Sequence, residues 1–306
     1  MFKLPEKIKN QGTAVALGYF DGIHLGHSAV LDAAVENAHR EGLVPVVMLF
    51  DVHPRKIILG KTPPMLMSEE KKRQLLIEKG FCVVPFDFSE VMNYLPEEFV
   101  ERILVEALNA KVVTCGFDYH YGKNGRGDVQ TLRASLAQRG IKFFSREPVL
   151  LGDEVISSSA VRELIAKGDI KKANAMLGGR FSYNFSVEKG DGRGKGLGFP
   201  TINQFFPEDY IVPRYGVYAS EVVVEGKAYP AVTNIGIRPT VEGSTMRSET
   251  CILDFSGDLY GRDVEVSLIE FIRDEIKFSD FDALSAQISK DVIKARSIYK
   301  GVNENG

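Results

Sequence analysis

The stretch GYFDGIHLGH, residues 18–27, places two imidazoles and three glycines between a strand-like run and a helical run. Backbone N–H groups at the start of a helix attract phosphate, and glycines let a ligand approach the main chain closely. His24 and His27 could donate hydrogen bonds to phosphate oxygens and stabilise negative charge that grows during attack at phosphorus. A glycine turn with two partly exposed histidines is the alternative, because short motifs are weak evidence by themselves.

A second stretch, GDGRGKGLGFPTIN at residues 190–203, combines five glycines with three charged residues. A loop rich in backbone N–H groups, with Arg193 and Lys195, could wrap a triphosphate. Thr201 and Asn203 follow on one face of a strand, and oxygen ligands of this type suit Mg²⁺ that is shared with substrate phosphates. The loop lacks both the GK[ST] ending and the GxGxxG spacing, so a flexible surface loop remains the alternative.

The elements that position residues 18–27 alternate between strand-like and helix-like runs. Strands are predicted at residues 13–20, 44–51, 81–88, 111–119 and 141–147, and helices at 28–42, 68–80, 96–110 and 128–140. This alternation predicts a doubly wound parallel sheet, Rossmann-like in class, with helices on both faces. Ligands of such sheets bind beyond the carboxyl ends of the strands, which is where residues 18–27 fall.

The second half of the chain has a different character. Two short helices are predicted within residues 157–179, the first capped by a serine and the second by Asp169. Residues beyond 180 are β-rich with turn residues between the runs, and residues 281–301 form a helical tail. We expect an antiparallel β-barrel with a C-terminal helix, a sandwich being the alternative, and a domain boundary that separates residues 1–180 from residues 181–306.

Composition narrows the class of protein. A chain of 306 residues suggests about two domains, and a net charge of −3 gives no global basic field for nucleic acid. Cys82, Cys115 and Cys251 are far apart and form no CxxC pair, which favours a reducing cytosol over a disulfide framework or a zinc ribbon. We expect no signal peptide and no membrane helix, since no apolar run approaches the length that spanning requires.

Residues 18–27 closely resemble the GxFDGxHxGH signature of nucleotidyltransferases of the HxGH superfamily. The resemblance implies that a substrate phosphate attacks the α-phosphorus of ATP in line and that pyrophosphate leaves, with no covalent nucleophile. Catalysis would then consist of positioning and charge stabilisation.

Three further segments resemble bacterial FAD synthetases: FDVHPRK at 50–56, CGFDYHYGKNGRGD at 115–128 and ISSSAVR at 156–162. The resemblance implies that His24 and His27 hold the ATP phosphates and the transition state, and that Arg162 closes over them. Serines that cap a helix can also be purely structural. The implied nucleotide contacts are Gly18, Phe20, Asp21, Gly26, Ser157 and Ser158. The implied flavin contacts are His53, Pro54, Asp118, Tyr121, Gly122 and Arg126.

Residues 190–203 resemble the riboflavin kinase signature GxxRGxxLGFPTAN, and YGVYAS, TNIGIRPT, ETCILDF, DLYG and IRDEIKF follow in the order of that family. Glu249 falls on the family's general base, which takes the proton of the ribityl 5′-hydroxyl, although a lone strand carboxylate is usually only solvated. Cys251 stands where the family has histidine. The other implied contacts are Gly190, Arg193, Gly194, Lys195, Gly198 and Pro200 for nucleotide, Thr201 and Asn203 for Mg²⁺, and Arg273 and Glu275 for flavin.

The two motif sets together resemble bacterial bifunctional riboflavin kinase/FAD synthetases. This implies that riboflavin and ATP become FMN and ADP in the C-terminal domain, and that FMN and ATP become FAD and pyrophosphate in the N-terminal domain. We expect small-molecule substrates, no nucleic acid or membrane partner, a cytoplasmic location, and a monomer or weak homo-oligomer. The alternatives are one working site beside a relic, a flavin sensor or carrier without turnover, and an RNA-binding β domain, which the acidic charge balance disfavours.

Overall fold

The structure is a computed structural model that describes residues 4–50, 52–53, 56–57, 60–190, 199–240 and 243–304. The chain divides into two compact units, Met1–Ser157 and Ser158–Gly306. Within the described ranges, no helix combines the length and the apolar character that crossing a bilayer requires.

The first unit is built on a parallel sheet of five strands. These are β1 (Thr13–Leu17), β2 (Val44–Phe50), β3 (Cys82–Phe86), β4 (Ala110–Gly116) and β5 (Lys142–Arg146), and a short hairpin follows, β6 (Leu150–Leu151) and β7 (Glu154–Val155). The spatial order is β3-β2-β1-β4-β5, so the chain runs outward from β1 in both directions. All five residues of β1 are buried. The predicted doubly wound sheet is confirmed, and the end of β1 is its switch point, where such sheets bind ligands.

Helices cover both faces of this sheet. They are α1 (Glu6–Gln11), α2 (Leu25–Glu41), α3 (Glu69–Glu78), α4 (Phe88–Val91), α5 (Pro96–Glu98) and α6 (Val129–Ala137). Ser68, the first residue of the helix predicted at 68–80, caps α3 and accepts a hydrogen bond from the backbone N–H of Lys71 at 3.2 Å. The helix predicted from residue 28 begins three residues earlier, at Leu25, because His24 caps it.

The helix predicted at residues 96–110 differs in kind from the expectation. After the short α5, residues Phe99–Ala107 form a π-helix, and the backbone N–H of Leu108 donates to the carbonyl of Ile103, five residues back, at 2.9 Å. Phe99, Ile103 and Leu104 are buried in the core beside the sheet. The wider winding buries residues five apart on one face, such as Phe99 with Leu104, which a search for α-helical periodicity does not detect.

The second unit is an antiparallel barrel of six strands. These are β8 (Ser182–Ser186), β9 (Thr201–Phe205), β10 (Gly216–Val224), β11 (Lys227–Thr240), β12 (Gly243–Ile252) and β13 (Asp263–Arg273), in the order β8-β13-β10-β11-β12-β9. The ends of the sheet meet, since Gln204 on β9 donates to the carbonyl of Phe185 on β8 at 2.6 Å. The backbone N–H of Glu188 also donates to the carbonyl of Asn203 at 2.8 Å. The sheet is therefore a nearly closed barrel, as predicted.

Three helices complete the second unit: α7 (Ser158–Lys167), α8 (Ile170–Leu177) and α9 (Phe281–Glu304). Asp169 caps α8 as predicted and accepts from the backbone N–H of Lys172 at 3.2 Å. The tail helix α9 packs on the barrel through the buried Ala295. The predicted C-terminal helix is therefore confirmed.

Candidate active sites

The loop between β1 and α2 holds an unusual backbone. Phe20, Gly22 and Ile23 have φ of +56°, +83° and +38°, in the left-handed region that bulky residues rarely adopt. Such strain persists only where the surroundings fix it, and it concentrates at functional sites. We refer to residues 18–27 as the phosphate loop.

The two histidines of the phosphate loop are stacked. His24 is the N-cap of α2, and its Nδ1 accepts a hydrogen bond from the backbone N–H of His27 at 3.2 Å. The ring centroids lie 3.6 Å apart, with the planes inclined by 18°. Because Nδ1 accepts, a neutral His24 ring carries its proton on Nε2, which makes that nitrogen a hydrogen-bond donor. The structure thus brings together the two residues that the sequence singled out, at a helix N-terminus suited to phosphate.

The glycines of the phosphate loop leave room for aromatic rings. A Cβ on Gly18 would lie 2.7 Å from Cζ of Phe20, and a Cβ on Gly26 would lie 3.1 Å from Nδ1 of His24. The ring of Phe20 is 1% exposed and meets the ring of His27 edge-on, with centroids 5.4 Å apart. Phe20 therefore packs edge-on against the ring of His27 and supports its position. A contact between Phe20 and nucleotide remains a prediction.

Asp21 anchors the phosphate loop to the segment before α3. Its side chain is 4% exposed, and its Oδ1 accepts a hydrogen bond from the backbone N–H of Leu66 at 3.1 Å. The sequence predicted a nucleotide contact for Asp21, and this contact also remains a prediction. What the structure describes is a carboxylate that fixes the shape of the loop.

We expect Gly18→Ala to destabilise the first unit by about 1–3 kcal/mol, because the added methyl group must displace the buried ring of Phe20. Chemical denaturation followed by circular dichroism measures this change. The control is Gly179→Ala, since a Cβ there meets nothing within 4 Å. Equal stabilities of the two variants would contradict the packing described here.

A cluster beside the phosphate loop was not found from the sequence. The side chain of Lys72 on α3 is 1% exposed and pairs with Glu69 at 2.8 Å. Tyr19 donates its hydroxyl to the same Glu69 oxygen at 2.9 Å, and its ring lies 4.2 Å from the ring of His53, centroid to centroid. The available signal was that Lys72 stands on the apolar face of its helix, four residues before the buried Leu76.

The loop after β4 contains several of the predicted flavin contacts. Tyr121 is 5% exposed, burial raises the pKa of its hydroxyl, and its ring is parallel to that of Tyr119. Gly122 has φ +70°, and a Cβ there would lie 3.0 Å from the backbone nitrogen of Pro96, so only glycine fits. Asp118 and Arg126 are exposed.

A hollow of about 330 Å³ lies beside this loop. Its lining includes Tyr121 and Arg126, two of the predicted flavin contacts, together with Leu95, Pro96 and Glu97. The volume is at the lower end of the range for small-molecule pockets. His53 is described, whereas the predicted contact Pro54 lies outside the described residues.

The serine and arginine predictions fall at the junction of the two units. Ser157 ends the first unit, Ser158 begins α7, and Arg162 lies one turn into that helix, partly exposed. The closing of Arg162 over the phosphate loop stays a prediction.

In the barrel, strand register brings the predicted base and one predicted metal ligand together. Asn234 on β11 pairs directly with Glu249 on β12, which pairs directly with Asn203 on β9. Side chains of directly paired residues share one face, with Cβ atoms about 4.5–5.5 Å apart. Asn234, Glu249 and Asn203 therefore form a row across three strands, which we call the polar row.

Arg247 is a neighbour of the polar row that the sequence analysis missed. Its Nη2 lies 2.8 Å from Oε1 of Glu249, and the two side chains are 17% and 32% exposed. The spacing of two residues on one strand was a usable signal, because such residues point to the same face. The ion pair fixes one carboxylate oxygen of Glu249, whose side chain remains partly exposed.

The donor set around Asn203 fits Mg²⁺. Asn203 is 4% exposed, and its Oδ1 has no hydrogen-bond partner within the described part of the chain. A Cβ on Gly190 would lie 2.2 Å from its Nδ2, so the glycine makes room for the amide. Thr201 is on the same face, two residues earlier. Pro200 is described, while Arg193, Gly194, Lys195 and Gly198 lie outside the described residues.

Cys251 is not available as a reactive thiol. It is 7% exposed, and burial raises its pKa to about 11. It pairs directly with Thr201 across β12 and β9. A thiol with this pKa stays protonated near neutral pH, so Cys251 acts as a small apolar side chain beside Thr201.

The two predicted flavin contacts after β13 differ in their surroundings. Arg273 donates to both carboxylate oxygens of Asp291 on α9, with Nη2 2.6 Å from Oδ2. Glu275 reaches the polar row instead, where its Oε1 accepts from Nδ2 of Asn234 at 3.5 Å. Arg273 thus ties the tail helix to the barrel. Glu275 contacts Asn234, which is paired with Glu249. Flavin contact by either residue remains a prediction.

Each half of the chain matches the model of a different enzyme family. The FAD synthetase family model matches residues 6–160, and the riboflavin kinase family model matches residues 177–299. A bifunctional riboflavin kinase/FMN adenylyltransferase of Listeria monocytogenes is 36% identical over 93% of this chain and 92% of its own length. That of Escherichia coli is 35% identical over 94% and 93%.

A solved structure described as a macrolide-efflux protein from Streptococcus pneumoniae has the same fold. Its TM-score to this chain is 0.85, with 30% identity over 97% of this chain and 99% of that chain.

The parallel-sheet unit and the barrel, each matched by the model of a family that transfers phosphate-containing groups, make the chain a two-domain phosphate-transferring enzyme. The matched families and relatives are more specific. The chain belongs to the family of bifunctional riboflavin kinase/FMN adenylyltransferases, which confirms the family predicted from its motifs.

Proposed function

We propose how the chain's residues divide the two reactions of this family. Riboflavin and ATP give FMN and ADP in the barrel, and FMN and ATP give FAD and pyrophosphate on the parallel sheet. We place the boundary between the two domains at residue 180, just before the first barrel strand at Ser182. The FAD synthetase match ends at residue 160 and the riboflavin kinase match begins at residue 177, while α7 and α8 belong to the second compact unit.

In the barrel, Glu249 is the general base. Its carboxylate takes the proton of the ribityl 5′-hydroxyl while that oxygen attacks the γ-phosphorus and ADP leaves. Arg247 holds the carboxylate in place, and Glu275 and Asn234 extend the polar surface on which the flavin side of the substrate is recognised. The polar row is the observation that supports this assignment, because Glu249 pairs directly with Asn203, the proposed metal ligand.

Mg²⁺ would be held by Thr201 and Asn203 together with ATP phosphates. Neutral oxygen ligands and substrate phosphates are the usual environment of this ion, which keeps several of its waters. When bound, it neutralises phosphate charge. The buried Oδ1 of Asn203 supports this role.

On the parallel sheet, an oxygen of the FMN phosphate is the nucleophile that attacks the α-phosphorus of ATP, and pyrophosphate leaves. The FMN phosphate is already largely ionised near neutral pH, so no separate base is required. The stacked His24 and His27 donate to the phosphates of ATP and stabilise the charge that develops at the α-phosphorus, and the N-terminus of α2 adds its backbone N–H groups. Arg162, Ser157 and Ser158 complete the phosphate contacts in this proposal, and Tyr121 and Arg126 contact the flavin.

We further propose that the enzyme works in the bacterial cytoplasm as a monomer or weak homo-oligomer and has no nucleic-acid partner. Three separate cysteines support the cytoplasmic location, and a net charge of −3 supports the lack of a nucleic-acid partner.

We expect Asn203→Ala to raise the Mg²⁺ concentration needed for half-maximal riboflavin phosphorylation by about tenfold or more, since outer and inner metal ligands contribute on this scale. A Mg²⁺ titration of FMN formation measures the change. Asn203→Asp keeps an oxygen ligand and should retain most of the affinity. FAD formation from supplied FMN is the internal control, because it takes place in the other domain. An unchanged titration midpoint in folded Asn203→Ala would exclude Asn203 as a ligand.

A further inference from the structure

Lys72 is a buried charge that the mechanism above does not use. Its ammonium lies 2.8 Å from Oε1 of Glu69 and donates to the carbonyl oxygen of Tyr19 at 3.3 Å. It also lies 3.9 Å from the centroid of the Tyr19 ring. A lysine that is 1% exposed persists only when its charge is compensated, and these contacts supply that compensation.

The three residues form a closed unit, which we call the Lys72 triad. Lys72 contacts both Glu69 and Tyr19, and the Tyr19 hydroxyl donates to the same Glu69 oxygen at 2.9 Å. Each member therefore fixes the other two. A surface ion pair lacks this closure and contributes little to structure.

The Lys72 triad acts on the strained part of the phosphate loop. The carbonyl that Lys72 binds belongs to the peptide between Tyr19 and Phe20, and Phe20 has φ +56°. The ring of Phe20 in turn meets the ring of His27. Rotation of this peptide would move the ring of Phe20 and, with it, the support of His27.

The triad also reaches the segment predicted to contact flavin. The ring of Tyr19 lies 4.2 Å from the ring of His53 at an interplanar angle of 60°. Tyr19 belongs to the phosphate loop, and its side chain contacts His53. The same side chain can set the distance between the nucleotide and the flavin.

We propose that Lys72 is a positioning residue of the adenylylation site, acting through Tyr19 to hold the phosphate loop and His53 in the geometry for in-line attack. The inference rests on the proposed roles of His24 and His27. Lys72 does not touch the reacting atoms, so its loss should lower kcat more than it raises KM for ATP. Misplacement of reacting groups by about 1 Å costs roughly 100-fold in rate.

The kinetic test uses Lys72→Met, which keeps the apolar stem and removes the donor. We expect kcat for FAD formation from supplied FMN to fall about 100-fold, with KM for ATP changed less than about threefold. Lys72→Arg, which restores a cation with donors, should recover part of the loss. The matched control is Lys79→Met, since Lys79 follows the same helix but forms an exposed pair with Asp32. The control should keep the kcat of the unmodified chain.

A spectroscopic test separates positioning from stability. The chain has five histidines, so selective ¹⁵N labelling gives a spectrum that can be fully assigned by substitution. In Lys72→Met, the ring resonances of His24, His27 and His53 should shift, while those of His39 and His120 stay in place. In Lys79→Met, the rings of His24, His27 and His53 should not shift.

The outcomes are decisive in both directions. An unchanged kcat in folded Lys72→Met overturns the inference. Unshifted ring resonances of His24 and His27 overturn it too, as does a loss of activity that is fully explained by the fraction of unfolded protein. If Lys72→Met does not fold, Glu69→Gln decides in the same assays, because Glu69 is 41% exposed and its replacement is tolerated more easily. His27→Ala is measured in parallel: if it remains active, the proposed role of His27 fails independently of Lys72.

Discussion

Replacing Glu249 with glutamine should lower the rate of FMN formation from riboflavin by about 10²–10⁴-fold, the range attributed to a general base. Glutamine keeps the size of the side chain and can still contact Arg247 and lie opposite Asn203, but it cannot take the proton of the 5′-hydroxyl. FAD formation from supplied FMN should be unchanged. Separation of riboflavin, FMN and FAD by chromatography measures both rates in one sample.

The control for this experiment is Glu270→Gln. Glu270 is also a strand carboxylate of the barrel, and it pairs with Lys171 at 2.8 Å with 26% of its side chain exposed, close to the 32% of Glu249. Loss of either ion pair should cost only up to about 1 kcal/mol of stability. If Glu270→Gln lost as much kinase activity as Glu249→Gln, the effect would belong to the barrel's ion pairs and not to a base.

Replacing His27 with alanine should have the reverse effect. FAD formation from FMN should fall about 10²–10³-fold, the usual cost of removing a donor to a developing oxyanion. Phosphorylation of riboflavin should continue, so FMN should accumulate. The ring of His27 stacks on His24 and meets Phe20, and its loss removes contacts worth about 0.5–1.5 kcal/mol per aromatic pair.

The control is His39→Ala. His39 lies in the last turn of α2, the helix that begins beside His27. Each variant replaces one imidazole of the same helix with alanine, while only His27 lies in the phosphate loop. A folded His27→Ala protein that forms FAD at the rate of His39→Ala would remove His27 from the site.

Features that depend on local pattern were predictable from the sequence. The alternation of strands and helices predicted the parallel sheet, and the placement of the phosphate loop at the end of β1 followed from it. Caps such as Ser68 and Asp169 were predictable because they satisfy neighbouring backbone N–H groups. Motif resemblance then identified the family and both candidate sites.

Features that depend on register or on long-range packing were not predictable. Nothing local states that Glu249 lies opposite Asn203, since pairing is set by the whole barrel. The internal hydrogen bond of Asp21 and the burial of Phe20 depend on chain that is distant in sequence or on loop shape. The apolar face of α3 indicated where Lys72 lies, but its partner Tyr19 is 53 positions away and could not be read from local pattern.

The most direct test of two separate sites is a mixing experiment. Glu249→Gln alone should leave riboflavin unconverted, and His27→Ala alone should stop at FMN. We expect an equal mixture of the two proteins, given riboflavin, ATP and Mg²⁺, to form FAD, because FMN made by the His27→Ala barrel is adenylylated by the Glu249→Gln sheet domain. A mixture that converts riboflavin only to FMN, although Glu249→Gln still adenylylates supplied FMN, or one that leaves riboflavin untouched, would contradict two independent sites with these residues.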